Sequence, residues 1–214
     1  YCFGIKMILN KLCNYVQLKL LNNFTDFTVD GLEHIPHKGP LIYIANHQAF
    51  LDPSLISTIS PRKVNFLAKK EAFKYYPIAS LLKMYGAHPI NRFGLDLTFF
   101  RWALKTLNND EALCLFPEGT RSNGEMTKGL PGIVHLAIRS GANIIPIGIK
   151  GTNKSRGIKG VLMPSGKIEI KIGKSFKFEK SKDALHRDGI DSILKEIMNK
   201  IAELLPDDMR GVYR

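Results

Sequence analysis

His47 and Asp52 stand five positions apart in Asn46-His47-Gln48-Ala49-Phe50-Leu51-Asp52, directly after the apolar run Leu41-Ile42-Tyr43-Ile44-Ala45. A neutral imidazole accepts a proton near pH 7, and a carboxylate bonded to its other nitrogen fixes the tautomer and stabilises the imidazolium. Such a pair can activate a hydroxyl. A plainer reading stands beside it: Asp52-Pro53 has the form of a helix N-cap followed by proline at the first helical position, and His47 could simply close a strand.

Other charged residues fall at the ends of further apolar runs. Lys69 and Lys70 follow Val64-Asn65-Phe66-Leu67-Ala68, Arg92 follows Ala87-His88-Pro89-Ile90, and Glu118 and Arg121 follow Ala112-Leu113-Cys114-Leu115-Phe116. Single charges at strand ends are ordinary solvated groups, and at least one of the adjacent Lys69 and Lys70 is expected to be so. Their recurrence suggests one pocket for an anionic group, because Arg and Lys bind phosphate through charge-assisted hydrogen bonds. The net charge of +12 over 214 residues fits an acidic partner, whether nucleic acid, an anionic membrane surface or a phosphorylated substrate.

The elements that must hold these groups are legible as apolar periodicity. Strands are expected at 27–29, 41–45, 64–68, 87–90, 112–116, 144–149 and 167–172, the last alternating lysine or glutamate with isoleucine. Helices are expected at 53–59, 77–85, 95–107, 128–139 and 188–205, with Gly141 stopping the fourth. The 77–85 helix would put Ile78, Leu81, Leu82 and Tyr85 on one face, and Asp96 would help the N-terminus of the next. Pro146 is awkward in a central strand, so an edge or a bulge is predicted there. The glycine-rich, basic stretch 151–160 reads as a surface loop. Strands alternating with helices imply an α/β fold, one domain with a mostly parallel central sheet flanked by helices. In such sheets ligands bind beyond the carboxyl ends of the strands. A 44% hydrophobic content supplies one sizeable core, and 23% charged residues argue against disorder.

Residues 1–26 are set apart as an N-terminal segment preceding a catalytic domain over 27–214. Within it Lys6, Asn10, Asn14 and Gln17 gather on one helical face, and Ile5, Ile8, Leu9, Leu12, Tyr15, Val16 and Leu20 on another. The lysines argue against a membrane-spanning helix, and no small-residue cleavage site follows to suggest a signal peptide. An amphipathic helix lying in a membrane interface is expected, the other reading being a helix that packs its apolar face on the core. The sequence does not begin with methionine, which leaves an upstream spanning segment open. Cys2, Cys13 and Cys114 form no paired or metal-ligand spacing, so a reducing compartment, no metal site and a buried Cys114 are expected.

These motifs resemble those of the glycerolipid acyltransferases over about residues 27 to 150. Asn46-His47 through Asp52 matches their His-x4-Asp motif, and Phe116-Pro117-Glu118-Gly119-Thr120-Arg121-Ser122 their glutamate-glycine motif. Gly86-Ala87-His88-Pro89-Ile90-Asn91-Arg92 and Ile144-Ile145-Pro146-Ile147 resemble the two remaining, less specific motifs. A departure is Gly129-Leu130-Pro131-Gly132, where many members carry lysine-proline-glycine.

Within the family the resemblance is strongest to the members that acylate lysophosphatidic acid. It implies His47 as general base, oriented by Asp52. Arg92 would hold the acceptor's phosphate, Glu118, Gly119 and Thr120 would seat its glycerol end, and Arg121 and Lys69 would be further phosphate ligands. The co-substrate would be acyl-CoA or acyl-acyl carrier protein, with no cofactor. The implied setting is the cell membrane, peripherally on its cytoplasmic face, with phospholipid as partner and no nucleic acid. The rivals are acylation of glycerol 3-phosphate or another lysophospholipid, and a non-catalytic basic protein that binds membrane or nucleic acid. Against nucleic acid, the basic residues recur at separate strand ends and form no recognisable module.

Overall fold

The computed structural model describes residues 2–90, 97–154, 157–179 and 186–214. Its strands are β1 (Thr25–Asp30), β2 (Leu41–Ala45), β3 (Val64–Lys69), β4 (Ala87–Ile90), β5 (Ala112–Leu115), β6 (Asn143–Lys150) and β7 (Gly166–Ile172). Its helices are α1 (Cys2–Phe24), α2 (Asp52–Ile59), α3 (Tyr76–Met84), α4 (Leu97–Asn108), α5 (Gly132–Ser140), α6 (Gly157–Leu162) and α7 (Arg187–Ala202). The strands form one seven-stranded sheet in the order β1-β7-β6-β2-β5-β3-β4. All neighbours are parallel except β6 and β7, so the α/β architecture expected from the alternation of patterns is the one observed.

Every residue of β2 is buried, which suits a central strand covered on both faces. Its alternate side chains feed two cores. Ile42 and Ile44 join Leu113, Leu115 and Ile144 beneath α4, α5 and α7. Leu41, Tyr43 and Ala45 join Cys114, Ile145 and Ile147 beneath α2, with Leu21 of α1 in the same cluster. Cys114 is thus buried as a small hydrophobe, and burial pushes its thiol pKa up. The Tyr43 hydroxyl is pushed up to about 12 by burial, despite its 2.9 Å hydrogen bond with Ser60.

Several elements differ from their sequence expectations, each for a local reason. The fourth expected helix begins only at Gly132, because residues before it are drawn into a long connection folded over the end of β5. Gly141 does stop it, in the left-handed conformation at φ 61°. The expected loop 151–160 contains a short 3-10 turn at Thr152–Lys154 and the first residues of α6. The last helix ends at Ala202, and the chain then turns through 3-10 segments. Pro146 sits in a central strand, not at an edge, and the bulge is on its partner. Ile147 faces Ile172 while Ile144 faces Phe176, so three steps along β6 match four along the facing chain. The missing proline N–H falls within that irregularity, where the Pro146 carbonyl accepts from Gly173 N at 2.9 Å. Pro89 lies in β4, an edge strand, where no second neighbour needs its N–H. Arg92, Asn91, Leu95 and Asp96 lie outside the described residues, as do the side chains of Ile78 and Leu81.

The N-terminal helix forms with its polar side inward. Asn10 and Gln17 are buried, and Asn14 donates to Ser57 O at 2.9 Å while accepting from Ser57 Oγ at 3.1 Å. Leu12, Tyr15 and Val16 point outward at 54%, 59% and 48% exposure. Lys6, Ile5 and Ile8 have side chains outside the description. Among the described residues no helix is long and apolar enough to cross a membrane.

Candidate active site

The pleat of β2 ends at Ala45, and Asn46 extends its pairing with β6 through the side chain. Asn46 Nδ2 donates to Ile149 O at 2.8 Å, and Ile149 N donates to Asn46 Oδ1 at 2.8 Å. The next residue is therefore delivered in a fixed place at the carboxyl end of the sheet. His47 Nδ1 lies 2.8 Å from Asp52 Oδ2. The same oxygen accepts from the backbone N–H of Gln48 at 2.7 Å and of Ala49 at 2.8 Å. With two backbone amides already donating to it, this oxygen acts as an acceptor, so the imidazole donates from Nδ1 and carries its lone pair on Nε2. No described protein group bonds Nε2. The ring stacks on Phe116, centroids 4.1 Å apart, with 13% of the His47 side chain exposed.

Asp52 is fully buried and opens α2 without capping it. Its carboxylate faces backward, to amides upstream of the helix, and Leu51 occupies the N-cap position. The cap expected from Asp52-Pro53 is thus replaced by a turn closed around the carboxylate, with Asp52 Oδ1 left without a hydrogen-bond partner among the described residues.

Neighbouring β5 delivers the second motif. Gly119 adopts φ 69°, where a side chain is strained, and its N–H closes a turn on Phe116 O at 2.9 Å. Glu118 is turned inward: Oε1 accepts His47 N at 3.0 Å, and Oε2 accepts Thr127 N at 2.7 Å and Thr127 Oγ1 at 2.9 Å. Both oxygens are thus occupied by protein donors. Ser122 N donates to His47 O at 2.8 Å, so the His47 peptide is held from both sides. Gln48 ties the same loop to Gly124 O at 2.9 Å. Arg121 lays its guanidinium over Phe50, 3.8 Å from the ring centroid. Gln48, Ala49, Thr120, Arg121, Ser122, Asn123 and Gly157 line a polar cleft of about 220 Å³.

His47, Asp52, Glu118, Gly119, Thr120 and Arg121 are therefore brought together. Lys69 ends β3, exposed, with β5 between that strand and β2. Arg92 belongs to the segment beyond β4 outside the described residues. Sequence reasoning did not single out Phe116 as a ring support or Thr127 as the partner of Glu118. Thr127 follows Glu118 by nine residues with no periodicity linking them, and only the folded loop reveals the pair.

Burial raises the Glu118 pKa above its ordinary 4.5, against the lowering effect of its hydrogen bonds. A carboxyl whose folded pKa is raised binds more protons folded than unfolded between the two values, so stability falls as pH rises through that window. In urea unfolding from pH 4 upward, the stability of the wild type minus that of Glu118→Gln is expected to fall as pH rises. A difference that rises over the same window would contradict the assignment.

A carboxylate-held histidine and a glycine-turned loop carrying Glu118 and Arg121 thus stand at the ends of the adjacent strands β2 and β5 of an α/β sheet. The acyltransferase family model matches residues 26–150, and the chain belongs to that family. It is 29% identical, over 86% of its length, to a 1-acyl-sn-glycerol-3-phosphate acyltransferase of Chlamydomonas reinhardtii, of which it spans 58%. It is 26% identical, over 80% of its length, to the 1-acyl-sn-glycerol-3-phosphate acyltransferase of Bacillus subtilis, of which it spans 88%. Its fold matches the crystal structure of the 1-acyl-sn-glycerophosphate (LPA) acyltransferase, PlsC, from Thermotoga maritima with a TM-score of 0.70 and 24% identity, covering 92% of this chain and 80% of that one.

Proposed function

We propose that the chain transfers a fatty acyl group from acyl-CoA or acyl-acyl carrier protein to the free hydroxyl of lysophosphatidic acid, yielding phosphatidic acid. The carrying observation is the 2.8 Å contact of His47 Nδ1 with buried Asp52, which leaves Nε2 as the proton acceptor. Nε2 takes the hydroxyl proton as the acceptor oxygen bonds the thioester carbonyl carbon. The tetrahedral intermediate then expels the thiolate, and the imidazolium returns the proton to sulfur. General base catalysis of this kind contributes about 10²–10⁴ in rate, with positioning and oxyanion stabilisation supplying more.

In this reading Arg121, Arg92 and Lys69 bind the acceptor's phosphate, and Gly119 and Thr120 face its glycerol end. Glu118 acts through the His47 peptide that it holds. In the same reading acyl transfer is direct, from the thioester to the acceptor hydroxyl, in preference to a route through an acylated serine of the Gly-x-Ser-x-Gly kind, an element the sequence does not contain. A mass-spectrometric competition among lysophosphatidic acid, other lysophospholipids and glycerol 3-phosphate, run with each donor, tests the acceptor. Preferential formation of phosphatidic acid is expected, and preference for another acceptor would replace lysophosphatidic acid in the assignment.

The lipid substrates reside in bilayers, and the outward stripe Leu12, Tyr15 and Val16, flanked by Lys11 and Lys19, suits an anionic membrane interface. Peripheral attachment on the cytoplasmic face belongs to the same proposal. Replacing both Leu12 and Val16 by aspartate leaves the inward Asn14–Ser57 contacts untouched and is expected to weaken binding to anionic vesicles at least about tenfold. Equal sedimentation of variant and wild type with vesicles would remove α1 from this role.

A further inference from the structure

The connection between β5 and α5 carries the glutamate-glycine motif and lacks regular structure over most of its length, so something must hold it. Part of the hold comes from the last residues of the chain. Beyond α7 the backbone turns through Asp207–Met209 and Gly211–Tyr213 and lies against residues 125–129. Met126 N donates to Met209 O at 2.9 Å, and Gly129 N donates to the Tyr213 hydroxyl at 3.0 Å. Between these two anchors sits Thr127, whose amide and hydroxyl both bind Glu118.

The approach is close enough to restrict the residues that can make it. Gly211 lies directly on the Met126 backbone, where an added Cβ would come within 2.0 Å of the Met126 carbonyl oxygen. Met126 and Met209 are both buried in the core beneath α7. A continuous chain of bonds therefore runs from Tyr213 and Met209, through 126–129 and Thr127, to Glu118 and the His47 amide.

We propose that Tyr213 and the turn carrying it are positioning elements of the acyl-transfer site, holding 126–129 so that Thr127 keeps Glu118 against the His47 amide. The inference rests on the acyltransferase reading for its kinetic consequence and on the bond chain alone for its structural one. Tyr213→Phe removes only the hydroxyl and leaves the ring. Losing one hydrogen bond of this kind is expected to lower kcat/KM about three- to tenfold. Because part of the effect passes through the Thr127 hydroxyl, Tyr213→Phe should cost less in a Thr127→Val background than in the wild type, the remaining loss passing through the Thr127 amide. Thr127→Ser, which retains the hydroxyl, should restore sensitivity to Tyr213→Phe.

Amide hydrogen exchange on the same proteins gives a readout independent of activity. Tyr213→Phe should speed exchange across 126–129 and at the His47 amide. Full kcat/KM in active Tyr213→Phe protein, or strictly multiplicative losses in the double variant, would overturn the kinetic role. Faster exchange confined to residues 207–214 would overturn the inference whether or not the wild-type protein transfers acyl groups, whereas an inactive wild type would refute the acyltransferase reading alone.

Discussion

Replacing His47 by alanine is expected to lower kcat for acyl transfer by at least about 10²–10⁴-fold while the protein remains folded. The first half follows from Nε2 being the proton acceptor in the site. The second follows from how the loop is held. The His47 amide donates to Glu118, its carbonyl accepts from Ser122, and neither bond involves the imidazole. Asp52 also keeps its two backbone donors when the ring is gone. The substitution forfeits the stack on Phe116, a partly exposed contact, and no element of the core. Circular dichroism and urea unfolding check the fold, and a steady-state assay checks the rate. Near-normal kcat would place the base elsewhere.

Asp52→Asn is expected to produce a loss of about 10²–10⁴-fold, with substrate KM little changed. The introduced carboxamide can still accept from Gln48 and Ala49 through its oxygen, so the closed turn is retained. Its nitrogen can occupy the place of the unpartnered Oδ1. What disappears is the buried negative charge that stabilises the imidazolium formed when Nε2 takes the proton. Asp52→Ala leaves those backbone amides without an acceptor as well, and so is expected to lose stability in addition to activity. Equal kcat in Asp52→Asn and wild type would reduce Asp52 to a turn-forming residue.

The sheet was readable because β2, β5 and β6 are buried apolar runs, and β7 alternates with the period of a half-covered strand. The His47–Asp52 pair was readable because residues five apart across a strand-to-helix turn must lie close together. What the local pattern does not contain is direction. Asp52 near a helix start looks like a cap, yet its carboxylate turns to upstream amides because His47 and the loop behind it close there. The polar line Asn10, Asn14 and Gln17 of α1 is visible in its sequence. Which face goes inward depends on Ser57 of α2, a polar partner presented by a distant element. The bulge that relieves Pro146 lies in residues 173–176, and the support of Glu118 comes from Thr127. Each is a tertiary pairing without periodicity to announce it. Arg92 and its role in binding the phosphate rest on resemblance, beyond the described residues.

The most direct test follows phosphatidic acid and the intact mass of the protein in the same samples, first with the acyl thioester alone and then with lysophosphatidic acid added. Direct transfer assisted by His47 predicts no acylated protein from the thioester alone, and phosphatidic acid only once the acceptor is present. A protein that gains one acyl mass from the thioester alone and then passes it to lysophosphatidic acid at the turnover rate would contradict the account.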